Sequence, residues 1–466
     1  MLHKKLYWER RQKLKSRVGS GIILLCGNER SPIEIFAHTY YFRQDSSFLY
    51  YSGINSVPSL FLLIDIDNNK EILFGDNISL EDQIWTGAMP TLESLAENVG
   101  IHDVQRTALL SNYLNKALKI KRAIHYLPVC RSELMIKLSL LLGIPPHQIN
   151  DNASKNLISA VISQREIKSA EEVVEIEKAL NISADIYDLL LKEIKPGISE
   201  RELLAQCESI VTSRGHIVAF PTILTKKCSI LHNWNSAANS EILKENDLLL
   251  VDSGVLSQAG YASDITRTYP AGNQFTNQQK DIYTIVLDGQ LKAIDEIKPD
   301  VLYKDIHLKV AETMANGLKD LGLMKGDIKQ AVTMGAHALF FPHGLGHMLG
   351  MDVHDLEMLG EDNVGYDAEI TRSQQFGLSF LRLAKRLKAG FVLTAEPGIY
   401  FIPELIDQWQ TAGKYREFIN YDEVEKYRHF EGIRIEDDLL VTETGCKVLG
   451  KPIPKSITEI ENNRGI

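Results

Sequence analysis

DLLLVDSGVLSQAGYASDITRTYP, residues 247–270, holds two short apolar runs, each beside an aspartate, joined by a glycine-containing link. DLLLVDSG reads as a buried strand ending at Asp252, and GYASDITRTYP as a second strand entered at Asp264. Gly254 and Gly260 mark the connection as a hairpin. Taken alone, Asp252 at a strand end is a turn-capping residue. The second acid changes that, because the offset of twelve is even and a loop of three or five residues sets the two aspartates directly opposite one another. Opposed Cβ atoms in an antiparallel pair lie ~4.5–5.5 Å apart. Two carboxylates held so close repel unless a cation sits between them.

Two further acids occupy similar settings. In FVLTAEPG, Glu396 ends an apolar strand and precedes a proline, which biases it to extended backbone. In GIRIEDDLLV, alternation puts Ile433 and Ile435 on one face and Arg434 and Glu436 on the other, which on its own fits an ordinary solvated face. FFPHGLGHMLGMDVHD (340–355) gathers three of the chain's thirteen histidines. Pro342, Gly344 and Gly346 argue against helix there. In extended chain the offset of four between His343 and His347 points both rings to one side, and Gly350 allows the turn that brings in His354. No HExxH motif occurs, so the helical zinc-protease arrangement is excluded.

Outward from these segments, the chain is long enough for two domains: 466 residues exceed what one core serves. The first ~150 residues alternate strands (GIILLCG, SLFLLIDID, EILFG) with helices (LSNYLNKALKIKRA, RSELMIKLSLLLG), which predicts an α/β domain with a covered sheet. Paired prolines in GIPPHQIND (143–151) end the last of these helices and mark the boundary region; the domains are taken as 1–163 and 164–466. A helix-compatible run covers 163–194, with Val173, Ile176, Leu180 and Ala184 on one face, and stops at Pro196–Gly197. Beyond it, helices near 276–297 and 303–321 separate antiparallel-type strands, an α+β pattern.

A net charge of −10 argues against nucleic-acid binding. No run reaches the ~18 apolar residues of a membrane span, and the basic start HKKLYWERRQKLKSR reads as a solvated first helix. Five scattered cysteines with no CxxC pair suggest neither a disulfide framework nor a thiolate metal site. A cytoplasmic protein is expected.

In this order, VDSG…GYASDITRTYP, PHGLGHMLGMDVHD, LTAEPGIYF and EGIRIEDDLLVTE resemble the successive motifs of the pita-bread metallopeptidases, in particular Xaa-Pro aminopeptidase (aminopeptidase P) and prolidase. FRQDSSFLYYSGI (42–54) is similar to a segment of the N-terminal domain those two enzymes share, so the resemblance spans nearly the whole chain. It implies an α/β N-terminal creatinase/aminopeptidase P-like domain followed by an α+β catalytic domain of the pita-bread (creatinase/aminopeptidase) fold. It also implies two divalent ions held by Asp252, Asp264, His347, Glu396 and Glu436. Asp264 and Glu436 bridge both ions, His347 and Glu396 serve one, and Asp252 serves the other. His232 in ILHNWNSAAN, His343 and His354 match histidines of the substrate pocket, and Arg434 matches an arginine that steadies the ligands. The family commonly spaces its two aspartates by eleven positions rather than twelve, which points to an added residue or a bulge in the hairpin.

Four carboxylates carry −4 and two divalent cations +4, so the site is balanced only when loaded. Mostly oxygen ligands suit hard or borderline ions. Family habit favours manganese, with cobalt or zinc as alternatives. The implied reaction is hydrolysis of the bond between an N-terminal residue and a following proline. A hydroxide shared by the metals attacks the carbonyl, Glu396 shuttles a proton, and His354 and His232 steady the oxyanion. A prolidase restricted to Xaa-Pro dipeptides shares every one of these residues. A non-catalytic binding protein on the same fold is disfavoured, since all five ligand positions are acid or histidine. Family habit adds a homodimer or tetramer. The segment 401–430 reads as an insertion without a usable motif.

Overall fold

A computed structural model describes residues 3–233 and 240–464. They form two compact units: residues 1–165 with 356–363, and residues 166–355 with 364–466.

In the first unit, strands β1 (Ile22–Cys26), β2 (Phe61–Asp65), β3 (Lys70–Phe74), β4 (Asp103–Gln105) and β5 (Ile124–Tyr126) form one sheet in the order β4-β3-β2-β1-β5. β1, β2 and β3 pair antiparallel, whereas β4 and β5 join the edges in parallel. Every residue of β2 is buried, as expected for a strand covered on both faces. The helices Leu110–Lys119 and Ser132–Leu142 supply Leu110, Leu114, Leu134 and Leu138 to the core beneath Ile22, Leu24, Phe61 and Leu63.

The second unit contains β6 (Ile217–Val218), β7 (Ile223–Thr225), β8 (Leu248–Ser253), β9 (Val255–Leu256), β10 (Ile265–Pro270), β11 (Val392–Ala395), β12 (Gly398–Tyr400), β13 (Gly432–Arg434), β14 (Asp437–Val441) and β15 (Cys446–Val448). They pair as β10-β8-β7, β11-β14-β15, β12-β13 and β6-β9, every pairing antiparallel. Leu248 to Val251 are almost fully buried, worth about 1.5–3 kcal/mol each. Apolar burial of Leu248 to Val251 holds β8 in place, and the strand carries on through Asp252 to Ser253.

Three local expectations are corrected. Asp252 and Asp264 are not directly opposed: Asp252 pairs with Thr266, and Asp264 precedes the strand. The pairs Ser253–Ile265 and Leu256–Ala262 belong to one unbroken register. No bulge interrupts the hairpin, and the spacing of twelve is taken up in the turn at 257–261, where Gly260 adopts φ +86°. By that register Asp264 sits across from Gly254, a diagonal neighbour of Asp252 on the same face.

The run 163–194 is two helices, Lys155–Arg165 and Ala170–Glu193, rather than one. Ser169 caps the second with a reciprocal bond to Glu172. The break carries Glu166, which pairs at 2.8 Å with Lys385 and Lys388, and Lys168, which pairs at 3.0 Å with Asp355. The pairs to Lys385 and Asp355 are buried at both ends, and they anchor the segment between the two helices.

Finally, the face of Arg434 and Glu436 is not solvated. Both side chains are buried, because β10 and β12 lie against that segment.

Candidate metal centre

His347 reaches the centre through an edge contact with β11. The segment 345–349 runs antiparallel beside that strand: Thr394 N–H donates to His347 O (2.9 Å), Glu396 N–H to Leu345 O (2.8 Å) and Leu349 N–H to Val392 O (2.9 Å). Only glycine fits at 346, where a Cβ would lie 2.2 Å from Thr394 O. The shared-strand expectation for His343 and His347 is replaced by an irregular segment whose two rings do different things.

The His347 Nδ1 sits 3.1 Å from Met348 O. A carbonyl only accepts, so Nδ1 carries the proton and Nε2 presents its lone pair. That Nε2 lies 3.4 Å from Asp264 Oδ2 and 3.6 Å from Glu396 Oε1. One ligand atom each from Asp264, His347 and Glu436 all fall within 4.8 Å of one another. Asp252 is an immediate acidic neighbour of Asp264.

Arg434 organises the opposite side. It donates to Asp252 Oδ2 (2.7 Å), to Thr266 Oγ1 (3.2 Å) and to Tyr400 OH (3.0 Å). Thr266 Oγ1 in turn donates to Glu436 Oε2 (2.6 Å), so one guanidinium orients two acids. His343 gives Nδ1–H to Gly344 O (2.8 Å) and takes the Tyr400 hydroxyl at Nε2 (3.0 Å). Both its nitrogens are committed within the protein. The His354 ring stands 4.3 Å from that of His347, nearly edge-on. His232 is exposed, within electrostatic reach of Arg434, Asp252, Arg382 and His347; residues 234–239 of its motif lie outside the described residues.

The motifs held residues that sequence reasoning passed over. Thr266 and Tyr400 lie inside the quoted DITRTYP and EPGIYF. Thr266 lies two residues from Asp264 on the same strand face, and Tyr400 pairs with Gly432, two residues from Arg434. Asp438 is fully buried and its Oδ2 accepts the Asp264 N–H at 3.0 Å. A second aspartate in IEDD was the only hint. Arg382, whose charge acts on both His354 and His232, had no signal.

Burial pushes the carboxyls of Asp264 and Glu436 well up from the usual carboxylate range, helped by Asp252 for the first and by Asp264 for the second. Glu396 is pushed up to about 7 by burial, against the pull of His347 and Arg434. His354 falls to about 2 and His343 to about 3, burial first and then His347 and Arg434 respectively. Both rings are neutral at physiological pH. Asp252 Oδ1 is buried without a hydrogen-bond partner. Fully ionised, the carboxylates of Asp252, Asp264, Glu396, Glu436 and Asp438 against the Arg434 guanidinium lack four positive charges, which two divalent ions would supply. The donor set fits such ions.

Metal-free protein should therefore lose stability as pH rises. Above about 4.5 an unfolded Glu396 ionises, while the folded one keeps its proton to about 7. The folded state then binds more protons, and stability drops by roughly 3 kcal/mol across that window. Chelator-treated protein is expected to melt at lower temperature at pH 7.5 than at pH 5, with added divalent metal restoring more at the higher pH. A metal-free melting temperature that rises over this interval contradicts the frustrated site.

The model of metallopeptidase family M24 matches residues 174–443, and that of the aminopeptidase P N-terminal domain matches residues 7–125. The chain belongs to metallopeptidase family M24 and has the pita-bread fold of a metallo-exopeptidase. It is 34% identical over 422 residues to a probable Xaa-Pro aminopeptidase of Fusarium vanettenii, covering 87% of this chain and 83% of that one. It is 29% identical to the human Xaa-Pro dipeptidase, covering 99% and 92%. Aminopeptidase PepP of Pseudomonas aeruginosa superposes with a TM-score of 0.81 at 26% identity, over 99% of this chain and 98% of that one.

Proposed function

We propose that the protein is a Xaa-Pro aminopeptidase in which Asp252, Asp264, His347, Glu396 and Glu436 hold two divalent ions, manganese being the physiological one. The observation that carries this reading is the meeting of Asp264, His347 and Glu436 ligand atoms within 4.8 Å, in a family of metallopeptidases. Bound there, the ions supply Lewis-acid activation of a water and of the peptide carbonyl.

The chain's own groups do the rest. The Glu396 carboxylate takes a proton from the attacking water and returns it to the departing proline nitrogen. An X–Pro bond has no N–H, so no donor from the scissile nitrogen is needed for recognition. The N–H groups of neutral His354 and exposed His232 steady the tetrahedral oxyanion. His343, tied to Tyr400, offers a ring face to the proline. Arg434 keeps Asp252 and Glu436 aimed at the ions. The substrate is a peptide with proline in second position, with no nucleic acid or membrane as partner. Among the described residues no helix is long and apolar enough to cross a membrane. Five free cysteines support a reducing cytoplasm. The helix Leu80–Thr86 buries none of its residues and exposes Leu80, Ile84 and Trp85, which supports a homo-oligomer.

The human dipeptidase relative favours one alternative, a prolidase. Manganese-loaded enzyme is expected to release the first residue of an Xaa-Pro-Xaa tripeptide, leaving a product that begins with proline. Cleavage of Xaa-Pro dipeptides alone assigns it as a dipeptidase. Cleavage of neither overturns both readings.

A further inference from the structure

We propose that Glu431 is a positioning residue that clamps the loop carrying His232 onto the strand carrying Arg434, an inference that rests on reading His232 as a pocket residue. Glu431 adopts φ +75°, a conformation costly for any residue with a Cβ. Such an outlier persists where surrounding structure enforces it, and here its side chain has a defined task. Glu431 Oε2 accepts the Ser229 backbone N–H at 3.2 Å and the Ser229 hydroxyl at 2.5 Å. Its carbonyl accepts the Phe401 N–H at 2.8 Å, which fixes it to the end of β12. At Gly432 an added Cβ would lie 2.6 Å from the Tyr400 ring and 3.1 Å from Cys228 O. The backbone of β13 thus packs directly on residue 228, and the left-handed turn at 431 aims the carboxylate at residue 229.

Four residues on, Asn233 Nδ2 donates to Thr225 Oγ1 at 2.9 Å. That contact ties the loop back to β7, where it began. His232 lies between the two tethers. Severing the Ser229 tether frees one side of the loop while leaving β13 and the metal ligands in place. None of Glu431, Ser229, Asn233 and Thr225 binds metal or substrate in the reading above, so the Glu431 carboxylate acts through the loop that carries His232.

The test compares wild type with Glu431→Gly, Glu431→Gln, Ser229→Ala and the Glu431→Gly/Ser229→Ala double variant. The readouts are melting temperature, bound metal, hydrogen exchange of residues 226–233, and kcat and KM on an Xaa-Pro-Xaa peptide. Glycine accepts φ +75° without strain, so Glu431→Gly is expected to melt no lower than wild type. It should nonetheless exchange 226–233 about tenfold faster and lose about tenfold in kcat/KM, carried mainly by kcat, with metal content unchanged. Ser229→Ala should show a similar loss, the double variant no more than about twofold beyond either single one, and Glu431→Gln, which keeps an acceptor oxygen, a smaller loss. Unchanged exchange in both single variants, or fully additive losses, overturns the clamp. If wild type cleaves no Xaa-Pro peptide, the functional reading fails while the exchange comparison still decides whether the clamp exists.

Discussion

Glu396→Gln is expected to fold, to melt within a few degrees of wild type and to turn over Xaa-Pro peptides at least ~100-fold more slowly. Glutamine preserves the shape of the side chain and one oxygen that can ligate an ion, but it neither takes up nor delivers a proton. The position is well chosen for transfer. Glu396 follows the buried end of β11, its N–H is fixed by Leu345 O, and its carboxylate is more exposed than those of Asp252 and Asp264, 19% against 12% and 7%. Steady-state kinetics with metal content measured in parallel checks this. Near-normal turnover at full metal loading removes Glu396 from the reaction.

Arg434→Met carries the second large effect, on stability. Its guanidinium is buried and is the cation bonded to Asp252 at 2.7 Å. Deleting one partner of a buried pair typically costs 3–5 kcal/mol, because the other charge is left uncompensated. Here the loss also strips a donor from Tyr400 and from Thr266, and through Thr266 loosens Glu436. Chelator-treated Arg434→Met is expected to be destabilised by about that amount in urea unfolding. Divalent metal should recover a larger fraction than it adds to wild type, since the ions neutralise the same acids. A variant as stable as wild type without metal would show that the acids are not held together against their charge.

The fold was legible where burial writes itself into sequence. Apolar runs such as FLLID and LLLVD became strands, and the two domain characters followed from alternation in one half and antiparallel-type strands in the other. The four candidate acids were legible because each stands at the edge of such a run, and His347 because its segment gathers three histidines. What was not legible is whatever depends on register or on contacts distant in sequence. The opposition of Asp252 and Asp264 failed because the turn at 257–261 centres on residue 259 and not on 258, a one-residue displacement that the local residues do not announce. The break at 166–169 depends on Lys385, Lys388 and Asp355, about two hundred residues away. The burial of Glu436 depends on strands packed against it; its own alternation pattern reads equally as surface. The segment 401–430 lacked motifs because its work is packing: Phe401 stacks on Tyr427 at 5.2 Å, and Trp409 meets Phe376 at 5.8 Å.

The decisive measurement is metal content against activity. Purified protein treated exhaustively with chelator should lose peptidase activity. Titration with manganese should then restore it in step with binding of two ions per chain, and Glu436→Ala should bind fewer. Full activity in protein shown by elemental analysis to be free of divalent metal would contradict the assignment of this cluster as the seat of catalysis.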